Sequence, residues 1–177
     1  MIKTLIVVLL FAGPLWAQDQ AADALATAGC GPSKVEFEVK KDKNQHLRGQ
    51  VEPGKALVYV FVDETRDADV FYIGSTTVRL GIDGAWVGAT QHQSYFFFLV
   101  EPGGHRMCAG WQTKIARFAR VRTAASFSVQ AGEVYYFRVV SEMRQKRESA
   151  IKIDPLDAAE GELLIANFGL STSRTKK

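Results

Sequence analysis

Acidic residues are missing from one long stretch of this chain. Between Glu101 and Glu133 there is none, whereas Arg106, Lys114, Arg117, Arg120 and Arg122 all fall there. Sulfur and imidazole are scarce too, with two cysteines and three histidines in 177 residues. That excludes a disulfide-dense scaffold and makes a structural zinc site, which needs about four nearby ligands, hard to assemble. No G-x-S-x-G elbow, phosphate-cradling glycine loop or dinucleotide fingerprint occurs, so the sequence calls for no cofactor. Beyond the N-terminus no apolar run approaches the roughly 20 residues of a membrane-spanning helix. The net charge of +3 is too small to identify partners.

What is present begins with an export signal. Lys3 gives a positive start, Leu5 to Ala12 is an unbroken apolar run, and Gly13-Pro14 precedes Leu15-Trp16-Ala17. These are the three regions of a signal peptide spanning residues 1–17, with cleavage expected after Ala17. The rival reading is an uncleaved N-terminal anchor. A mature chain of about 160 residues fits one domain with a substantial core. It carries no transmembrane segment of its own, so the expected location is periplasmic or secreted.

Two cysteines in an exported chain favour a Cys30–Cys108 disulfide. An intermolecular bridge or two free thiols are the alternatives. Residues 18–29 are small, polar and alanine-rich and read as a flexible leader. Cys30-Gly31-Pro32-Ser33 is turn chemistry that starts an ordered domain over residues 30–170.

Within that domain, residues 35–39 (VEFEV) alternate as a half-buried strand does, and residues 40–52 read as a loop. Residues 56–62 (ALVYVFV) and 94–100 (SYFFFLV) are apolar on both alternating faces, so both are expected to be central strands. Residues 63–69 hold four carboxylates but lack the glycine and spaced oxygens of a calcium loop, and read as solvated. Val78, Leu80 and Ile82 alternate with Thr77, Arg79 and Gly81 ahead of Asp83-Gly84, a hairpin turn signal. Pro102-Gly103-Gly104 and Gly132 mark further turns. Residues 114–122 fit an edge strand or a short helix equally well. Asp154 is expected to cap a C-terminal helix with Pro155 in its first turn, Gly169 to stop it, and residues 171–177 to form a disordered basic tail. Many short strands and one terminal helix predict an antiparallel β-sandwich, immunoglobulin/prealbumin-like, with a short C-terminal α-helix.

Residues 53–60 (PGKALVYV), Ile82-Asp83-Gly84 with Val87-Gly88, Ser94-Tyr95-Phe96, Pro102-Gly103-Gly104-His105 and residues 131–138 (AGEVYYFR) follow one another in an order that resembles the bacterial domain-of-unknown-function family DUF2846. The resemblance covers about residues 50–165. The DG turn followed by the PG-H turn is also similar to PEGA-type domains, small β-sandwich modules of bacterial surface proteins. The resemblance implies an envelope-facing β-domain and supplies no activity and no catalytic residues. Many members look like lipoproteins, whereas this chain has no convincing lipobox.

Spacing selects no Ser-His-Asp set, and the H-x-x-C of His105 and Cys108 places the two side chains on opposite faces of a strand. The sequence therefore predicts a non-enzymatic exported module that binds a protein or an anionic envelope component. An envelope structural or assembly subunit is the alternative, and a hydrolase a more remote one. Nucleic acid fits poorly with export. The candidate binding surface is the basic stretch with Lys114, Arg117, Arg120 and Arg122, followed by Trp86 and Trp111. Against it stand two plainer readings, a solvated basic edge strand and core tryptophans.

Overall fold

The two stretches that are apolar on both faces become β2 (Ala56–Arg66) and β5 (Ser94–Val100), paired antiparallel at the middle of a six-stranded sheet. The computed structural model describes residues 29–66, 76–143 and 149–177. The signal peptide, leader residues 18–28, the end of the acidic loop and residues 144–148 lie outside the described residues. Around the central pair the chain runs through β1 (Phe37–Asp42), β3 (Thr77–Ile82), β4 (Ala85–Gln91), β6 (Gly103–Gln112), α1 (Ala116–Ala119), β7 (Arg122–Val129), β8 (Val134–Met143), β9 (Ala150–Leu156), α2 (Ala158–Asn167) and β10 (Gly169–Thr175). One sheet has the order β1-β10-β5-β2-β8-β9 and the other β4-β3-β6-β7. The result is an all-β sandwich with a C-terminal helix. Most pairings are antiparallel, but β2 with β8 and β10 with β5 are parallel.

Two cores follow from the doubly apolar strands. Val58, Val60 and Val62 face the second sheet and meet Val78, Leu80, Met107 and Trp111. Leu57, Tyr59 and Phe61 face the other way and meet Tyr95, Tyr136, Ile165 and Leu170 under α2. The loop after β1 completes that second layer: the Tyr95 hydroxyl donates to the Leu47 carbonyl (2.8 Å) and the Gly49 amide donates to the Tyr59 hydroxyl (2.7 Å). Burial pushes the Tyr95 and Tyr136 phenols up to about 12, so both remain hydrogen-bond donors at any physiological pH.

Several expectations are corrected at the C-terminus. Asp157, not Asp154, caps the helix, its carboxylate accepting from the Glu160 amide at 2.8 Å. Asp154 and Pro155 belong to β9, an edge strand, where a proline costs no ladder bond on its free side. The supposed disordered tail is β10, which inserts between β1 and β5. The helix ends at Asn167 and Gly169 opens that strand. Residues 114–122 resolve into a turn, the short helix α1 and the start of β7. The spacing of Ile115, Phe118 and Val121 is used, because all three pack on the inter-sheet core. β2 also extends into the acidic segment as far as Arg66.

The N-terminal segment 29–36 crosses the outer face of the four-stranded sheet before entering the other sheet as β1. Cys30 is bonded to Cys108 of β6. The Trp86 indole donates to the Pro32 carbonyl at 2.8 Å. Arg79 donates to the Ser33 and Val35 carbonyls at 3.2 and 2.7 Å. Gln112 exchanges two hydrogen bonds with the Phe37 backbone. This strap makes one end of the outer face inaccessible and leaves the other end open.

Candidate functional site

The open end is built by a mismatch in strand length. β3 stops at Ile82, opposite Met107, so the first residues of β6 run past it. The Asp83-Gly84 turn that closes β3 onto β4 has positive φ at both residues (52° and 86°), the type I′ geometry that a DG pair favours. It sets the Asp83 carboxylate beside β6. On the opposite side β6 pairs with β7 in the register Gly104↔Ser128, His105↔Phe127 and Arg106↔Ser126. Alternation along each strand then puts Gly104, Arg106, Ser126 and Ser128 together on the outer face. A groove of about 560 Å³ lies there, lined by these residues together with Asp83, His105 and Phe127. Its hollow is the side chain that Gly104 lacks: a Cβ at that position would meet nothing nearer than the Ser128 hydroxyl, 3.9 Å away.

His105 and Phe127 turn inward from the same strands. The imidazole packs on the Phe127 ring at a centroid distance of 5.7 Å. Its Nδ1 lies 2.7 Å from Asp83 Oδ2 and its Nε2 lies 2.7 Å from the Glu101 carbonyl. Both partners only accept, so the two contacts are satisfied together when the ring is protonated. The second Asp83 oxygen accepts from the Arg106 amide at 2.8 Å. Burial by itself would lower the His105 pKa; the bond to Asp83, the bond to the Glu101 carbonyl and the Asp83 charge together outweigh it and hold the value above that of free histidine. Burial would likewise raise Asp83, but His105 and the Arg106 amide hold it below the usual carboxylate range.

A serine, a histidine and an aspartate thus meet at one groove, which spacing alone did not reveal. They are not wired as a triad. The Nε2 that would have to accept a serine proton is spent on the Glu101 carbonyl, and Ser126 and Ser128 stand on the opposite face of the sheet from the ring. What the pair does is tie the Asp83 turn to the start of β6. The raised His105 pKa gives stability that is fully present below the unfolded value of about 6.5 and is lost as pH rises through the folded value. The lowered Asp83 pKa gives stability present above the unfolded carboxylate value and lost as pH falls through the folded one. His105→Gln is therefore expected to lower the thermal midpoint more at pH 5.5 than at pH 9. The difference corresponds to about 1 kcal/mol or less, because Asp83 is half exposed. Equal losses at the two pH values would contradict the assignment.

The sequence-predicted surface is only partly a surface. Lys114 and Arg120 are exposed and Arg122 is half-buried; the Arg117 side chain lies outside the described residues. Arg122 and Arg79 flank Gly110 on neighbouring strands. Burial, and after it the Arg122 charge, lower the Arg79 pKa. Trp111 belongs to the interior: it is fully buried, edge-on to Phe118 at 5.6 Å, with its indole donating to the Ser141 hydroxyl at 2.8 Å. Its period-two spacing with Met107 and Ala109 was the signal for that. Trp86 is half-buried and occupied, with the Arg79 guanidinium 4.6 Å from its ring centroid and Gly31 against its edge. Neither tryptophan is free to hold a ligand. Cys108 is in the disulfide, and among the described residues no three His, Cys, Asp or Glu side chains come together as metal ligands would. No described helix is long and apolar enough to cross a membrane.

Asp83, Ser126 and Ser128 were the members that sequence reasoning missed. The DG turn and the acid-free stretch each held one half of the groove, but only the β6–β7 register joins them. No curated protein and no solved structure matches the chain. The model of the family described as "Protein of unknown function (DUF2846)" matches residues 52–151, which run from before β2 into β9 and include the whole groove; with more than half of its length matched, the chain belongs to that family.

Proposed function

We propose that the chain is a non-enzymatic, exported β-sandwich module that binds a partner or envelope component of negative charge along the β6–β7 side. One observation carries this reading. Lys114, Arg120 and Arg122 follow one another around α1 into β7, and among the described residues no carboxylate is paired with any of them. Arg48, Lys55, Arg174 and Lys176 each have an acidic neighbour. Other exposed lysines such as Lys34 and Lys43 are also unpaired, but only here among the described residues do three such cations follow one another in a stretch without acids. A row of unneutralised charge attracts and orients an anionic surface. The apolar N-terminal run and the Cys30–Cys108 bridge support the export part of the proposal.

The test is retention on immobilised polyglutamate as salt is raised. Lys114→Glu/Arg120→Glu is expected to weaken binding about tenfold relative to the parent, a coupling of about 1.4 kcal/mol. Lys40→Glu/Lys43→Glu changes the net charge equally at exposed positions on the opposite, β1 edge and is expected to cost far less. Equal losses in the two variants would show that retention follows net charge alone and would remove the proposed surface.

A further inference from the structure

We infer that the groove over Gly104 is a seat for a single oxyanion group, carboxylate or phosphate, with Arg106 as its cation and the Ser126 and Ser128 hydroxyls as its neutral donors. The inference rests on the reading that this side of the sandwich takes an anionic ligand, and adds the group that is gripped and where.

The first argument is local charge. Asp83 is the carboxylate that borders the groove. Both of its oxygens are engaged, one by the His105 ring and one by the Arg106 amide. The Asp83 charge also attracts the Arg106 guanidinium. Both Asp83 oxygens are taken, however, and among the described residues no carboxylate is in ion-pair contact with that guanidinium. The second is an unmet bond. Arg106 Nε is buried and finds no acceptor, and buried donors in folded proteins are nearly always paired. Arg79 and Arg138 Nε share that state, but of the three only Arg106 lines the groove. The third is preorganisation. The stem of Arg106 lies against Gly29, where even a Cβ would come within 3.1 Å of its Cγ, and Gly29 is fixed beside the disulfide, its carbonyl accepting from the Gly84 amide at 3.3 Å. A guanidinium held by its stem loses less freedom on binding than a free surface arginine does. The fourth is space. Gly104 leaves the floor open, and Ser126 and Ser128 are exposed beside it on β7, opposite Arg106 and Gly104, donors of the kind that complete an oxyanion's coordination beside an arginine.

The test uses the full chain labelled with nitrogen-15, titrated separately with inorganic phosphate, with galacturonate and with uncharged galactose. At least one anion is expected to give saturable shifts at the Arg106 Nε–H and at the amides of residues 104, 126 and 128, while galactose gives none. Saturation by phosphate alone assigns the seat to a phosphoryl group, and saturation by galacturonate alone to a carboxylate. Gly104→Leu projects from a Cβ position with no atom nearer than 3.9 Å and is expected to weaken these shifts at least tenfold at an unchanged thermal midpoint. Arg106→Gln is expected to do the same, and keeps the test decisive if the leucine variant folds poorly. Lys114→Glu/Arg120→Glu is expected to leave the seat intact, so a failure of the polyglutamate test and a failure here are separate results. Shifts scattered over surface lysines, or saturable shifts that survive in both Gly104→Leu and Arg106→Gln, would overturn the seat.

Discussion

Replacing Cys30 with serine is expected to lower the unfolding free energy by about 4.5 kcal/mol. The bridge joins positions 78 apart in sequence. In the chain-entropy model a loop of that length restricts the unfolded ensemble by about that amount. Domains of this size are stable by roughly 5–15 kcal/mol in all, so the loss is a large share of the total. The native strap would not detach at once. Pro32, Ser33, Val35 and Phe37 keep their backbone hydrogen bonds to Trp86, Arg79 and Gln112, and Gly31 still fits against the indole. The effect therefore falls mainly on the unfolded state, which leads to a second expectation. The urea dependence of Cys30→Ser should be steeper than that of the oxidised parent, because its unfolded chain expands further and exposes more surface. Urea titration of the oxidised parent, the dithiothreitol-treated parent and the serine variant checks both points. A midpoint that does not move would mean that the strap's other contacts already fix this segment in the unfolded ensemble.

The features legible in the sequence were those with one dominant physical cause. Residues 56–62 and 94–100 are apolar on both faces, and no arrangement except a doubly covered strand buries both sets. The Asp83-Gly84 turn was legible because few other pairs accept positive φ twice in succession. Elsewhere two causes competed. β10 carries serine and threonine where a buried strand would be expected to carry valine. Its Ser171 is buried nonetheless, with its hydroxyl donating to Ser94 Oγ at 2.9 Å. A satisfied polar pair inside the sheet removes the period-two signal without removing the strand. Asp154-Pro155 has the chemistry of a helix start, and so does Asp157 followed three residues later by Glu160, a spacing close to a capping box. Propensity cannot rank the two, whereas β9 can, by claiming Asp154 for its pairing with Arg138. The groove was the least legible of all. Its members come from a turn and two strands whose register is set by the packing of Phe127 on Phe137 (4.8 Å between centroids) and of Met107 in the core, and no local pattern encodes that. The acid-free stretch contains β6 and β7, but the reading of it centred on Lys114 to Arg122, away from Gly104, and counted Trp111, which is buried in the core.

Gly161→Ala is expected to destabilise the protein by about 2 kcal/mol, opposite in sign to what helix propensity alone predicts. In an isolated helix alanine is better than glycine by about 1 kcal/mol. Here a Cβ at position 161 would stand 2.3 Å from Cδ1 and 2.4 Å from Cγ of Tyr136, well inside contact distance. The ring has little room to yield. It is stacked on Tyr59 at 5.3 Å, and its hydroxyl donates to Glu162 Oε1 at 3.0 Å on the same helix. Adding the methyl must therefore lift α2 off the sheet or break the stack, and forced overpacking of this kind costs about 1–3 kcal/mol beyond any propensity gain. In a chain of this size the thermal midpoint should fall by roughly 4–8 °C. The double variant Gly161→Ala/Tyr136→Leu supplies the control. With the ring gone the alanine has space, so its cost in that background should vanish or reverse, leaving a coupling of about 2 kcal/mol between the two positions. If Gly161→Ala proves neutral in the parent, the close approach of α2 to Tyr136 is wrong, and with it the account of why a glycine occupies the middle of this helix.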